Sequence, residues 1–344
     1  MVPRTIVLMA TSAPPDIVRS AYAELIVTDL AASKHFWVDR LGFVISDEDA
    51  EAVYLRGHEE FVHHSLILRR GQQPACSRFA FRVRTPDDLD AAAVFHTDRD
   101  CEVRRCPAGA TLGVGPTVRV QDPFGFVVEY FHEIEWIGHH HQRYDLRHGA
   151  SINRLDHINL VTDDVRAFYE WYMSLGFGLS ETIEDDDGTL YATWMFRKQT
   201  VHDIASTQGS SPRLHHLAFA CPEAHHILGV ADTLGAANEY HHIERGPGRH
   251  GVSNAFYLYL RDPDGHRVEL YTTDYFTGDP GHQPLRWNVN DERRRDFWAN
   301  PIVPQWYEEA SVVLDLDGNV QPLRVRQSDE ERITVGADGH GVTR

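Results

Sequence analysis

Histidine and carboxylate side chains are where this sequence has chemistry to offer. Its 22 histidines include His157 in Asp-His-Ile-Asn, the pair His215-His216, His202 in Val-His-Asp, His250 in Gly-Arg-His-Gly, and the run His139-His140-His141. Glu269 closes the stretch Asp262-Pro-Asp-Gly-His-Arg-Val-Glu. Two imidazoles and a carboxylate can hold a divalent metal on one face and leave its other positions open. Imidazole also titrates near neutrality, which suits general acid–base work. Taken singly, none of these residues is diagnostic. In so histidine-rich a chain, His157 reads equally well as a core residue, His202 as a loop residue and Glu269 as an outward-facing strand residue. Strand alternation sends His215 and His216 to opposite faces, so one site can use only one of them.

What must position such groups emerges from an internal repeat. Residues 22–30 (YAELIVTDL) match 156–164 (DHINLVTDD), and FWVDRLGFVIS matches FYEWYMSLGFGLS. SRFAFRV (77–83) matches HHLAFAC (215–221), and VQDPFGFVVEYF (120–131) matches LRDPDGHRVELY (260–271), all in one order. Each half reads as a strand, then a helix ending at Leu-Gly-Phe, then further strands. Gly42 and Gly176 suit the positive φ of a helix C-terminus. The last strand follows an Asp-Pro-X-Gly turn. The expected class is α+β, built from tandem βαβββ modules. The expected organisation is a first domain over 1–150, a second over 151–275 and a tail over 276–344.

A repeated βαβββ unit of this kind resembles the vicinal oxygen chelate superfamily, in which paired modules form a cup around a metal. The resemblance covers about residues 18–135 and 152–275. It implies ligands on the first, a middle and the last strand of a module. In the second half those positions hold His157, His216 and Glu269; in the first half they hold Ala23, Arg78 and Glu129. The first half is therefore expected to carry no metal. The implied set is a two-histidine, one-carboxylate triad, with Fe(II) as the expected cofactor and Mn(II) as the alternative.

Longer stretches narrow the resemblance. WMFRKQTVHD (194–203), ERGPGRHGVSNAF (244–256), TDYFTGDP (273–280) and SVVLDLD (311–317) resemble the type I extradiol dioxygenases, and among them the homoprotocatechuate 2,3-dioxygenase family. That likeness implies ring cleavage of 3,4-dihydroxyphenylacetate by O2, to 5-carboxymethyl-2-hydroxymuconate semialdehyde. Another catechol, such as protocatechuate or 3,4-dihydroxyphenylpropionate, is the alternative. Carried over residue by residue, it makes His202 the acid–base group and Tyr259 a hydrogen-bond partner of bound catecholate. Asn159 would line the oxygen pocket and His250 would orient neighbouring groups. Arg245, Arg294 and Arg295 would bind the substrate carboxylate, and Trp194 would form an apolar wall. The tail would close over the cup as a lid. A glyoxalase-like isomerase would complete its site across two modules, which Ala23 and Arg78 disfavour. A metal-free binding protein of the bleomycin-resistance kind would have no use for the triad, His202 and Tyr259 together.

Composition bounds the rest. A net charge of −18 repels nucleic acid and anionic membranes, so an anionic substrate needs a local basic pocket. No apolar run is long enough to cross a bilayer, and the N-terminus lacks a basic patch followed by an apolar stretch. The four cysteines show no convincing metal spacing. A cytoplasmic protein is expected, with a small catechol and O2 as its partners and no nucleic acid or membrane. The family resemblance adds a homotetramer. The His139-His140-His141 run is read as surface linker.

Overall fold

The computed structural model describes residues 12–325; residues 1–11 of the first expected domain and 326–344 of the expected tail lie outside them. The first half runs β1 (Ile17–Val27), α1 (Leu30–Lys34), β2 (Val44–Glu48), β3 (Ala52–Arg56), β4 (Leu66–Arg70), β5 (Ala75–Val83), α2 (Asp87–Thr97), β6 (Glu102–Cys106), β7 (Thr117–Gln121) and β8 (Val127–Phe131). The second half repeats it: β9 (Arg154–Thr162), α3 (Val165–Ser174), β10 (Gly178–Glu184), β11 (Leu190–Phe196), β12 (Ile204–Gln208), β13 (Arg213–Ala220), α4 (Ala224–Ala236), β14 (Ile243–Arg249), β15 (Phe256–Arg261) and β16 (Arg267–Thr272). Each half thus contains two βαβββ units, where the sequence repeat separates only one. The units within a half have diverged too far for their first strands to align by residue type.

Each half makes one sheet. The first has strand order β2-β3-β4-β1-β5-β8-β7-β6 and the second β14-β15-β16-β13-β9-β12-β11-β10. In both, the first strands of the two units pair antiparallel (β1 with β5, β9 with β13), and each pairs in parallel with the last strand of its own unit. The result is a curved sheet whose four central strands come from all parts of the half.

Local sequence explains the elements. Asp29 caps α1 by accepting from the amides of Ala31 and Ala32, and Asp164 caps α3 through Ala167 N. Gly42 and Gly176 stand at φ 86° and 83°, which releases the chain from the helix into the next strand. Val165, Phe168 and Tyr172 give α3 one buried face. Aromatic contacts join the halves into a single core: Phe43 meets Phe219 at 4.8 Å and Phe81 meets Phe177 at 5.4 Å between ring centroids. The described part of the tail adds β17 (Leu285–Asn288) beside β10, a short helix α5 (Gln305–Glu308), and β18 (Ser311–Val312) beside β13. Val313 then bridges to Cys76 of β5, so the tail crosses from one half to the other. No helix among the described residues is long and apolar enough to cross a membrane.

Candidate active site and metal centre

Register builds the site. Across the second sheet, Arg245 (β14) pairs with Tyr259 (β15), Tyr259 with Glu269 (β16), Glu269 with Ala218 (β13) and Ala218 with His157 (β9). Directly paired residues present their side chains on one face. Residues two apart on a strand do likewise, so Asn159 joins His157 and His216 joins Ala218. Asn159 is itself paired with His216 and Ala205, and Ala205 with Trp194. Ala218 contributes only a methyl, which leaves space between His157 and Glu269.

The ligand-type atoms of His157, His216 and Glu269 converge within 4.8 Å of one another, and they are the one such cluster among the described residues. Glu269 Oε2 lies 3.1 Å from Nε2 of both histidines. The hydrogen bonds at the far side of each ring fix its tautomer. His157 Nδ1 donates to Asp156 Oδ2 at 2.8 Å, which aims Nε2 at the cluster. His215 Nε2 donates to the carbonyl oxygen of Trp306 at 3.2 Å. His215 Nδ1 must then accept from His216 Nδ1 at 2.7 Å, which again leaves Nε2 free toward the cluster. Burial pushes the His216 pKa down to about 4, so its ring is neutral. Burial also opposes ionisation of Glu269, yet the hydrogen bond from His157 and the imidazoles of His216 and His250 beside it hold its carboxyl well below the usual range. Burial opposes charge on His157 too, but Asp156 and Glu269 outweigh it and raise its pKa. Two neutral-capable imidazoles and an ionised carboxylate, all buried, suit a divalent cation.

The other expected residues surround this cluster. His202, on the turn between β11 and β12, packs its ring against His157 at 3.7 Å between centroids; burial and the neighbouring His157 and Lys198 push its pKa well down. His250 Nε2 is 2.9 Å from the Tyr259 hydroxyl and 3.3 Å from Glu269 Oε1, and its ring stacks on Tyr257. Burial and Glu269 raise the Tyr259 pKa, which keeps its hydroxyl protonated. Thr207 donates to Asn159 Oδ1, turning the amide NH2 of Asn159 toward the cavity.

All eleven expected site residues line one cavity, open to solvent, with about 680 Å³ of non-protein space counting its mouth. Arg245, Arg294 and Arg295 lie together on its wall. Arg245 donates to the carbonyl of Arg295 at 2.9 Å and sits over the Trp306 ring at 4.5 Å. Arg293, by contrast, is exposed and paired with Asp291, so the three consecutive arginines divide between solvent and cavity. Sequence reasoning missed Trp306 and Tyr307, which the tail folds onto the cavity. Their only local mark is an aromatic pair behind Pro304, which does not say where the tail docks. The expected split of His215 and His216 onto opposite faces does not hold: a register shift between Leu214 and His216 brings both rings to the cavity, where His215 supports His216. The His139-His140-His141 run lies in the connection between β8 and β9, outside any strand or helix.

In the first half, the corresponding cup holds its own cation. Arg78, in the place of His216, contacts Glu24 at 2.5 Å and Glu129 at 3.0 Å, and donates to Thr111 at 3.1 Å. Tyr22 and Arg119 also bind Glu129. Burial opposes charge on Glu24, but Arg78 and Arg69 bring its pKa down to about 2. A guanidinium fills the space and satisfies the carboxylates.

Comparison with known proteins agrees with this architecture. A family profile described as the Glyoxalase/Bleomycin resistance protein/Dioxygenase superfamily matches residues 19–130 and 154–270. Homoprotocatechuate 2,3-dioxygenase of Arthrobacter globiformis is 53% identical, with a TM-score of 0.91 over 93% of this chain and 100% of that one. An anaerobic complex of the Brevibacterium fuscum homoprotocatechuate 2,3-dioxygenase with 3,4-dihydroxyphenylacetate is 51% identical, with a TM-score of 0.90 over 94% and 100%. A manganese-dependent 2,3-dihydroxybiphenyl 1,2-dioxygenase of Geobacillus genomosp. 3 is 29% identical over 83% of this chain and 95% of its own length. With two matched segments, one in each half, this chain belongs to the Glyoxalase/Bleomycin resistance protein/Dioxygenase superfamily.

Proposed function

We propose that this protein is a metal-dependent extradiol dioxygenase that cleaves the ring of 3,4-dihydroxyphenylacetate with O2, giving 5-carboxymethyl-2-hydroxymuconate semialdehyde. The observation that carries the reading is a single cavity with an open two-histidine, one-carboxylate cluster at one end and three arginines on its wall. His157 and His216 through Nε2, with Glu269, would hold the metal, Fe(II) by preference and Mn(II) as the alternative. A bound divalent metal supplies adjacent positions for the two catechol oxygens and for O2.

The remaining chemistry belongs to side chains. His202, neutral because it is buried, takes a proton from a substrate hydroxyl and later returns it. Tyr259 donates to a substrate oxygen and is oriented by His250. The Asn159 amide offers an N–H to the cavity and would line the pocket for O2. Arg245, Arg294 and Arg295 bind the side-chain carboxylate, a task for which planar, permanently charged guanidinium groups are well matched. Trp194 and Trp306 wall the ring, and the tail, acting as a lid, excludes water.

Metal analysis combined with an oxygen-electrode screen of catechols tests the reading. Stoichiometric iron or manganese is expected, with the highest kcat/KM for 3,4-dihydroxyphenylacetate and a yellow ring-fission product. Metal-loaded protein that consumes no O2 with any catechol would overturn it; a better rate with protocatechuate or 3,4-dihydroxyphenylpropionate would move the substrate only. A homotetramer is part of the proposal, and light scattering after gel filtration checks it.

A further inference from the structure

Asp203 follows His202 directly, is fully buried, and has no part in the chemistry above. Its carboxylate organises the turn on which His202 rides. Oδ2 accepts from the backbone N–H groups of Arg197 and Lys198 at 2.6 and 2.9 Å. Oδ1 accepts from the backbone N–H of Ser20 at 2.8 Å, and the Ser20 hydroxyl donates to the Asp203 carbonyl at 2.9 Å. Ser20 belongs to β1, in the half without a metal cluster. Arg197 strengthens the same junction, donating to the carbonyl of Ile17 at 2.6 Å and pairing with Asp16 at 2.7 Å. From the other side the Lys198 ammonium donates to the carbonyls of His202 and Asp156, the latter at 2.7 Å.

The His202 ring needs this support. Its Nδ1 has no hydrogen-bond partner among the described residues, so stacking on His157 and the path of its own backbone locate it. A turn that would otherwise leave two half-buried N–H groups unpaired is closed by one carboxylate instead.

We propose that Asp203 is a positioning residue for His202, and that the metal-free half contributes to catalysis by gripping Asp203 through Ser20. The role of His202 itself rests on the function proposed above.

Asp203→Asn leaves an amide N–H facing a backbone N–H on one side of the turn, and Ser20→Ala removes the hydroxyl alone. For Asp203→Asn, unchanged metal stoichiometry and a nearly unchanged KM are expected, with kcat lower by roughly 10- to 100-fold. Combined with His202→Phe, it should cost little more than His202→Phe alone, because it acts through that ring. Amide hydrogen exchange of the metal-free proteins gives a reading independent of turnover. Residues 197–203 should exchange about tenfold faster in Asp203→Asn and measurably faster in Ser20→Ala, with β11 unchanged. A kcat within twofold of the parent, full additivity with His202→Phe, or unaltered exchange across 197–203 would overturn the proposal. If Asp203→Asn fails to fold, Ser20→Ala decides on the same exchange measurement. A parent protein that turns over no catechol would defeat the proposed function, while the exchange result would still decide whether Asp203 and Ser20 hold the turn.

Discussion

The ring of His202 lies 3.7 Å from that of His157, centroid to centroid, with the planes inclined by 37°. The proposed proton carrier therefore rests on the back of a proposed metal ligand. His202→Phe keeps an aromatic ring against His157 and removes both nitrogens. Metal content and KM for 3,4-dihydroxyphenylacetate should stay close to the parent values, while kcat falls by about 10²- to 10⁴-fold. Steady-state oxygen uptake checks this, and unchanged turnover would remove the proposed role.

His216 is held in its ligand tautomer by a relay that ends on the tail, Trp306 carbonyl to His215 to His216. His216→Ala should abolish retention of metal, as measured by elemental analysis after desalting. His215→Phe keeps the ligand but frees its tautomer, and a loss of about 10- to 100-fold in metal affinity is expected from competition with a chelator. Stoichiometric metal in His216→Ala would show that the cluster is held together by other means.

How much of this was legible beforehand follows from the kind of signal each feature leaves. That His157, His216 and Glu269 would come together was legible because the family resemblance names the three strands, and the repeat singles out the second half, with Ala23 and Arg78 in the matching places of the first. The strands were visible through apolar alternation, and the helix ends through Gly42 and Gly176, whose backbone conformation demands glycine. The two βαβββ units within each half were not separated, because β1 and β5 share register and pairing but little residue identity. Trp306 and Tyr307 were invisible for a different reason. They reach the cavity only because β17 and β18 dock on β10 and β13, pairings of high sequence separation that no local pattern encodes. Arg294 and Arg295 could not be separated from Arg293 by charge alone; Asp291 makes that division by pairing with Arg293 in solvent.

The cavity arginines predict a selective defect. Arg295 lies over the Tyr307 ring at 5.3 Å, its carbonyl accepts from Arg245, and its guanidinium reaches the cavity wall. Removing one charge-assisted contact to a carboxylate costs about 1.5–3 kcal/mol, so Arg295→Ala should raise KM for 3,4-dihydroxyphenylacetate by roughly 10- to 100-fold. The effect on 4-methylcatechol, which has no carboxylate, should stay within about threefold. Equal effects on the two substrates would show that Arg295 does not read the carboxylate.

Acid stability is expected to depend on a first-half histidine that does not line the cavity. His96 on α2 is fully buried, with Nε2 at 2.9 Å from the Tyr130 hydroxyl. Burial, with a smaller effect of Arg99, pushes its pKa down to about 4 from the ordinary 6.5. Above pH 6.5 the ring is neutral in both folded and unfolded chains and contributes no pH dependence. Between 6.5 and 4 the unfolded chain takes up a proton that the folded chain refuses. Stability therefore falls as pH drops through that window, by about 1.4 kcal/mol per pH unit from this group. His96→Gln retains a polar partner for Tyr130 but cannot take up the proton. The loss of urea stability of the metal-free protein between pH 6.5 and 5 should accordingly be smaller in His96→Gln than in the parent. Identical pH slopes would mean that His96 protonates without unfolding the core around it.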